Sequence, residues 1–299
     1  MASQEFYTML APWTASALRK PETIEISQLK KWMTGETAPA SGTATIHPVD
    51  AAGVPAEWVC GTQADPDRRL LYLHGGGYVI GSAAFYRDFT ATLSNATGCV
   101  VLAADYRLGP EHPFPAAVED AVAAYQWMRE HGRAGARAAT RTFIAGDSAG
   151  GGLTLAALLA LRDGKKPLPD AAITISAYTD LAHTGESMRT RAAVEPVARP
   201  GWMSTYANGY LCGADPRNPL ASPLYGDLTG LPPLLIQVGD AEIIRDDSTR
   251  FAEKAQAAGV KVTLEVWPEM IHVWHTRKPE FPEAREAIER IARFTRSFK

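Results

Sequence analysis

The stretch Phe143-Ile144-Ala145-Gly146-Asp147-Ser148-Ala149-Gly150-Gly151-Gly152 restricts this chain more than any other. An apolar run enters a G-x-S-x-G pentapeptide, and Leu153-Thr154-Leu155-Ala156-Ala157-Leu158-Leu159, a strong helix former, leaves it. Strand, tight turn carrying a serine, then helix is the context of a nucleophile elbow. Gly146 and Gly150 suit such a turn, because residues without a Cβ let the strand and the helix pass close to the serine. The Ser148 hydroxyl is then held out at the sheet edge, over a helix N-terminus that favours developing negative charge. G-x-S-x-G alone also occurs in ordinary Gly- and Ser-rich loops, so the meaning of Ser148 rests on its partners.

The rest of the chain supplies the alternation such an elbow requires. Apolar stretches at residues 44–49, 56–60 and 69–73 read as strands. A helical stretch at 85–96 then precedes a strand at 99–103, and Pro115 opens a helix over 115–130. After the serine strand and its helix come a strand at 171–176 and, past Pro232-Pro233, another at 234–238. A helix at 247–258 closed by Gly259, a strand at 261–266 and a helix at 282–298 complete the chain. Leading strands followed by βαβα alternation predict an α/β chain with a mainly parallel sheet and helices on both faces.

Two segments stand outside the alternation. Within residues 1–40, Phe6, Met9, Leu10 and Trp13 recur at helical spacing, as do Ile26, Leu29, Trp32 and Met33. Residues 182–230 form a long connection with five prolines between Pro196 and Pro223, and with Trp202, Met203, Tyr206 and Tyr210 near helical spacing. Long insertions in compact domains tend to be lids or binding loops. Together the two segments are expected to form a helical cap, with the core divided into 41–181 and 231–299. An aromatic stripe that only packs on the sheet is the competing reading.

With 299 residues, 46% of them apolar and 21% charged, the chain can bury a sizeable core. A net charge of −3 and a pI near 6.2 give no reason to expect nucleic acid or an anionic membrane as partner. Cys60, Cys99 and Cys212 are too scattered for a disulfide framework or a metal spacing. The opening residues lack a basic region and apolar core, and no apolar run reaches the ~18 residues of a bilayer span. A cytoplasmic protein without membrane partner is expected.

A serine hydroxyl needs a base, usually histidine, itself oriented by a carboxylate. In the elbow arrangement the order is serine, acid, histidine, each at the C-terminal end of a strand. His272 lies in the loop after the strand at 261–266, where the base belongs, and is preferred over His275. Asp240 directly follows Leu234-Leu235-Ile236-Gln237-Val238-Gly239 and is the expected acid. Asp246 and Asp247 look like helix N-terminal residues, and Asp180 follows an earlier strand. His74-Gly75-Gly76-Gly77-Tyr78 follows the strand at 69–73, so Gly75, Gly76 and Ala149 are the expected oxyanion donors. His74 reads as a residue that fixes the loop.

HGGG at 74–77, Asp105-Tyr106-Arg107-Leu108-Gly109-Pro110-Glu111-His112-Pro113-Phe114-Pro115 and GDSAGG at 146–151 together resemble the hormone-sensitive-lipase-like branch of the α/β-hydrolases, in its bacterial GDSAG subgroup. The resemblance extends through Asp240 and Met270-Ile271-His272, nearly the whole chain. It implies an α/β-hydrolase fold with an eight-stranded sheet and a helical cap, and a Ser148, Asp240, His272 triad. It also implies hydrolysis of short- to medium-chain acyl esters without metal or organic cofactor. Two positions depart from the family pattern. Gly109 replaces the usual alanine in a structural turn, and His272-Val273-Trp274 replaces the commoner His-Gly-Phe. Tyr78, Trp202, Tyr206 and Trp274 are the expected pocket aromatics, with Trp274 narrowing the pocket. Asp105, Arg107, Glu111, His112 and Asp147 are expected to support the loops.

Three alternatives stay open. The same attack opens a lactone ring, amides and thioesters are near relatives of the substrate, and receptors exist on this fold that have lost the serine or histidine. The strand at 261–266, as an edge strand with unpaired backbone groups, offers a route to a homodimer.

Overall fold

The computed structural model describes residues 1–17, 21–33, 43–276 and 281–299. Helices α1 (Gln4–Ala17) and α2 (Ile26–Met33) precede strands β1 (Ala44–Asp50), β2 (Pro55–Gly61) and β3 (Asp65–Leu73). Then α3 (Arg87–Thr97), β4 (Cys99–Ala104), α4 (Ala116–Glu130), β5 (Arg141–Asp147), α5 (Ala149–Asp163) and β6 (Ala171–Ile175) alternate. The long connection carries α6 (Pro200–Leu211). Strand β7 (Leu234–Gly239), α7 (Arg245–Ala257), β8 (Val262–Trp267) and α8 (Pro282–Arg296) follow. The expected elements are present, with β3 starting earlier, at Asp65. Residues 18–20 and 34–40 of the expected N-terminal helical segment lie outside the described residues.

The eight strands form one sheet in the order β1-β2-β4-β3-β5-β6-β7-β8. Only the β1–β2 and β2–β4 pairs are antiparallel. Strands β4, β6 and β7 are buried along their whole length, as parallel strands covered on both faces must be, and their sequences are correspondingly near-continuous apolar runs. Helix α5 is buried almost throughout and fills the space beside β5. The strand expected at the edge is β8, where Val266 is 40% exposed.

Parallel register is what assembles a site. Leu73 of β3 pairs with Gly146 of β5, Asp147 of β5 with Ile175 of β6, and Ile175 with Gln237 of β7. The loops leaving β3, β5, β6 and β7 therefore emerge at one end of the sheet, where open α/β sheets bind their ligands.

The segment around α6 closes on that end. Trp202 is buried with Ile24, Leu29, Val79 and Ile80, and its indole N–H donates to the Pro21 carbonyl at 3.0 Å. A Cβ on Gly201 would stand 2.2 Å from the Glu22 carbonyl oxygen, so the helix start and the N-terminal segment touch backbone to backbone. Among the described residues no helix is long and apolar enough to cross a membrane.

The departure at Gly109 also belongs to this contact. A Cβ there would lie 2.4 Å from the Gly209 carbonyl oxygen and 3.0 Å from the Tyr210 Cα, so the turn is pressed against α6 and is not a neutral position. Overpacking a tight site costs about 1–3 kcal/mol. Gly109→Ala, the residue usual in the family, should therefore lower the calorimetric midpoint; an unchanged midpoint would show that α6 shifts freely.

Candidate active site

Ser148 sits between β5 and α5 with φ 53° and ψ −120°, a conformation that side-chain-bearing residues rarely adopt. Its N–H donates to the Ile175 carbonyl at 2.8 Å, and its own carbonyl accepts from Gly152 and Tyr178. The two glycines are obligatory. A Cβ on Gly146 would lie 2.2 Å from the Gly150 oxygen, and one on Gly150 1.9 Å from the Leu73 oxygen.

The Ser148 hydroxyl lies 2.9 Å from His272 Nε2, and the two residues are 9% and 8% exposed. His272 Nδ1 lies 3.0 Å from Oε2 of Glu242, a fully buried carboxylate. A carboxylate only accepts, so Nδ1 carries the proton and Nε2 is left as acceptor for the serine hydroxyl. Glu242 is itself held, because its Oε1 accepts the Gly239 N–H at 2.6 Å and the Ser176 hydroxyl at 2.7 Å. Ser176 also accepts the Val273 N–H at 3.1 Å.

Asp240, expected against the histidine, is elsewhere. Its N–H donates to the Trp267 carbonyl, and its carboxylate faces Arg191 at 2.9 Å and Arg245 at 3.1 Å, with the side chain 40% exposed. Just past the end of β7 the backbone turns that side chain outward. Glu242, two residues on, faces back inward and has an additional methylene for reach. The elbow pattern admits either acid, so the signal was present in Gly239-Asp240-Ala241-Glu242.

The glycine loop also differs from expectation in one donor. Gly75 gives its N–H to Asp147 Oδ1 at 2.9 Å, so it is committed to the loop's own support. The N–H groups of Gly76, Gly77 and Ala149 donate to no acceptor among the described residues. Gly76 and Gly77 have φ of 122° and 62°, and a Cβ on Gly77 would lie 2.3 Å from the Tyr206 ring. Asp147, within the pentapeptide, accepts also from the Tyr72 hydroxyl at 2.6 Å and the Tyr86 hydroxyl at 2.9 Å. Burial raises its pKa, against the pull of those two hydroxyls. His74 is stacked on Tyr106 at 4.4 Å, and its Nδ1 meets the Gly75 carbonyl. Nearby, Asp105 accepts the Ala83 N–H, Arg107 forks onto Asp120, and Glu111 pairs with Lys30.

The four expected pocket aromatics do not share a pocket wall. Trp274 is fully buried among Phe6, Met270, Ile271 and Phe281, with its ring against Trp267 and His275, so it is core and does not narrow a pocket. Tyr78 is buried and stacked on Tyr210 at 4.0 Å. Trp202 anchors the N-terminal segment, and the Tyr206 ring lies against Gly77 of the glycine loop. His275 is held by Gln237 at 2.8 Å, and burial pushes its pKa down to about 3.

Removing Asp147 would orphan two tyrosine hydroxyls and one N–H in the interior. Asp147→Ala should cost on the order of 3 kcal/mol in stability, and the displaced loop should lower kcat on the order of a hundredfold. Denaturant titration and turnover of an activated ester check both; a wild-type kcat would show that the loop holds its place without this carboxylate.

Comparison with known proteins agrees with this fold. The family model described as the alpha/beta hydrolase fold matches residues 70–276. The chain is 50% identical over 261 residues to an acetyl-hydrolase of Streptomyces hygroscopicus, covering 86% of each chain. It is 35% identical over 260 residues to an esterase of Acinetobacter venetianus, covering 87% of this chain and 84% of that one. A crystal structure of an esterase from the bacterial hormone-sensitive lipase family superposes with a TM-score of 0.89 at 42% identity, covering 99% of both chains. The chain belongs to the hormone-sensitive-lipase-like esterases of the α/β-hydrolase fold.

Proposed function

We propose that this carboxylic-ester hydrolase acts on short-chain acyl esters, acetyl esters foremost, through an acyl-enzyme on Ser148. The observation that carries the reading is the hydrogen-bonded line Ser148 Oγ, His272 Nε2, His272 Nδ1, Glu242 Oε2, at 2.9 and 3.0 Å. His272 takes the serine proton as Oγ attacks the ester carbonyl, and Glu242 holds the tautomer and stabilises the imidazolium. The N–H groups of Gly76, Gly77 and Ala149 receive the oxyanion, the imidazolium protonates the departing alcohol, and water activated by His272 releases the acid. The acetyl preference draws on the Streptomyces hygroscopicus acetyl-hydrolase at 50% identity. In this reading α1, α2 and the 182–230 insertion serve as a cap over the serine.

Ser148→Ala should abolish turnover of p-nitrophenyl acetate while leaving the fold intact. Glu242→Gln should lower kcat by about 10⁴-fold, as loss of the orienting acid does in a serine triad. Asp240→Asn removes only two part-exposed ion pairs, each worth about 0–1 kcal/mol, and should leave kcat within a few-fold. The opposite ranking of the two acid variants would return the role to Asp240. Across p-nitrophenyl esters from acetate to octanoate, and a lactone series, kcat/KM should be greatest at acetate; a maximum at octanoate or at a lactone would refute the short-chain assignment.

A further inference from the structure

Ahead of α6 the connection turns one acidic side chain inward. Val194 is 57% exposed, whereas Glu195 beside it is 4% exposed. Its Oε1 accepts the Val197 N–H at 2.7 Å. Its Oε2 reaches across to the other end of the site and accepts the backbone N–H of His272 at 3.0 Å. The next N–H along, that of Val273, is held by the neutral hydroxyl of Ser176. A hydroxyl or a carbonyl would thus be enough to satisfy the His272 N–H, yet a carboxyl group stands there.

That choice is unfavourable in the resting protein. Burial pushes the Glu195 pKa up to about 7; His272 draws it down, and the nearby Glu242 carboxylate adds to the rise. Two buried carboxyl groups flanking one imidazole become favourable when the ring is an imidazolium, the form His272 takes once the serine proton has been transferred. Asp240 is turned away to Arg191 and Arg245, so His272 and Glu242 are the titratable groups that act on Glu195. Arg191 accepts the Glu195 N–H with its carbonyl and gives its guanidinium to Asp240.

We propose that Glu195 is a positioning residue of the esterase, whose carboxyl group ties the backbone of His272 to the segment ahead of α6 and so keeps Nε2 aimed at Ser148. The assignment rests on His272 being the base. It also places the connection that carries α6 in direct mechanical contact with the base, so that displacing this segment would move the imidazole.

Glu195→Ala should lower kcat on the order of tenfold to a hundredfold, the cost of a small misplacement of a catalytic group, with KM nearly unchanged. Rates are expressed per active site by titration with a fluorophosphonate, which discounts unfolded protein. Glu195→Gln keeps an oxygen for the His272 N–H and should recover most of that kcat. Its kcat/KM profile should keep the wild-type acid limb, because a carboxyl group that titrates at about 7 is already largely protonated where an ordinary histidine, at about 6.5, takes up its proton. A wild-type kcat for Glu195→Ala, a loss confined to KM, or a Glu195→Gln as impaired as Glu195→Ala would overturn the proposal. Should Glu195→Ala fail to fold, Glu195→Leu, which fills the space without an acceptor for the His272 N–H, is compared with Glu195→Gln, and equal kcat in the two overturns it. Ser148→Ala separates the two readings: turnover by that variant would refute the triad itself, whereas an inactive Ser148→Ala beside a fully active Glu195→Ala would refute only the role of Glu195.

Discussion

Between β5 and α5 the chain passes the end of β3 so closely that a Cβ on Gly150 would stand 1.9 Å from the Leu73 carbonyl oxygen. Everything at the site depends on that approach. It forces Ser148 to a positive φ and seats the glycine loop beside the serine through the Leu73–Gly146 register. It also lets Asp147 reach Gly75, Tyr72 and Tyr86 from inside the same turn. The pentapeptide therefore supplies both the proposed nucleophile and the anchor of the loop opposite it.

Strain is concentrated at this end of the sheet. Ser148, Tyr78, Ser176 and Val273 all have positive φ, at 53°, 65°, 51° and 52°. Such conformations cost of order 1–3 kcal/mol each and persist where the surroundings over-determine them. Val273 shows how. A β-branched residue stands where the family commonly has glycine, held by the Ser176 hydroxyl at its N–H and buried at its side chain. The same hydroxyl holds Glu242. The histidine loop is thus restrained by Glu195 at one N–H and by Ser176 at the next, and the imidazole has little freedom to leave the serine.

Much of this was legible along the chain. Strands and helices were marked by apolar runs, proline and glycine at their ends, and the covered parallel strands by near-continuous hydrophobicity. Ser148 and His272 were singled out because each follows a strand end in the expected order, and the structure brings them within 2.9 Å of each other. Asp240 was misread because position along the chain does not reveal which way a side chain leaves a strand end. Gly75 was misread for a related reason, since its N–H is used up by a residue far away in sequence. Trp274 and Tyr78 are aromatic and adjacent to the site in sequence, but their rings pack into the core.

The sequence by itself determined the alternation of elements, the glycine-only elbow, the serine and histidine proposed as nucleophile and base, and the family, because these follow from local spacing and from residue types that tolerate no substitute. Only the tertiary structure decided which carboxylate meets the imidazole, which backbone N–H groups remain without acceptors among the described residues, and that Glu195 comes back from a distant connection to hold the His272 loop. Those are distances of about 3 Å between segments far apart in the chain. They are set by the packing of the sheet and of α6, to which no local pattern refers.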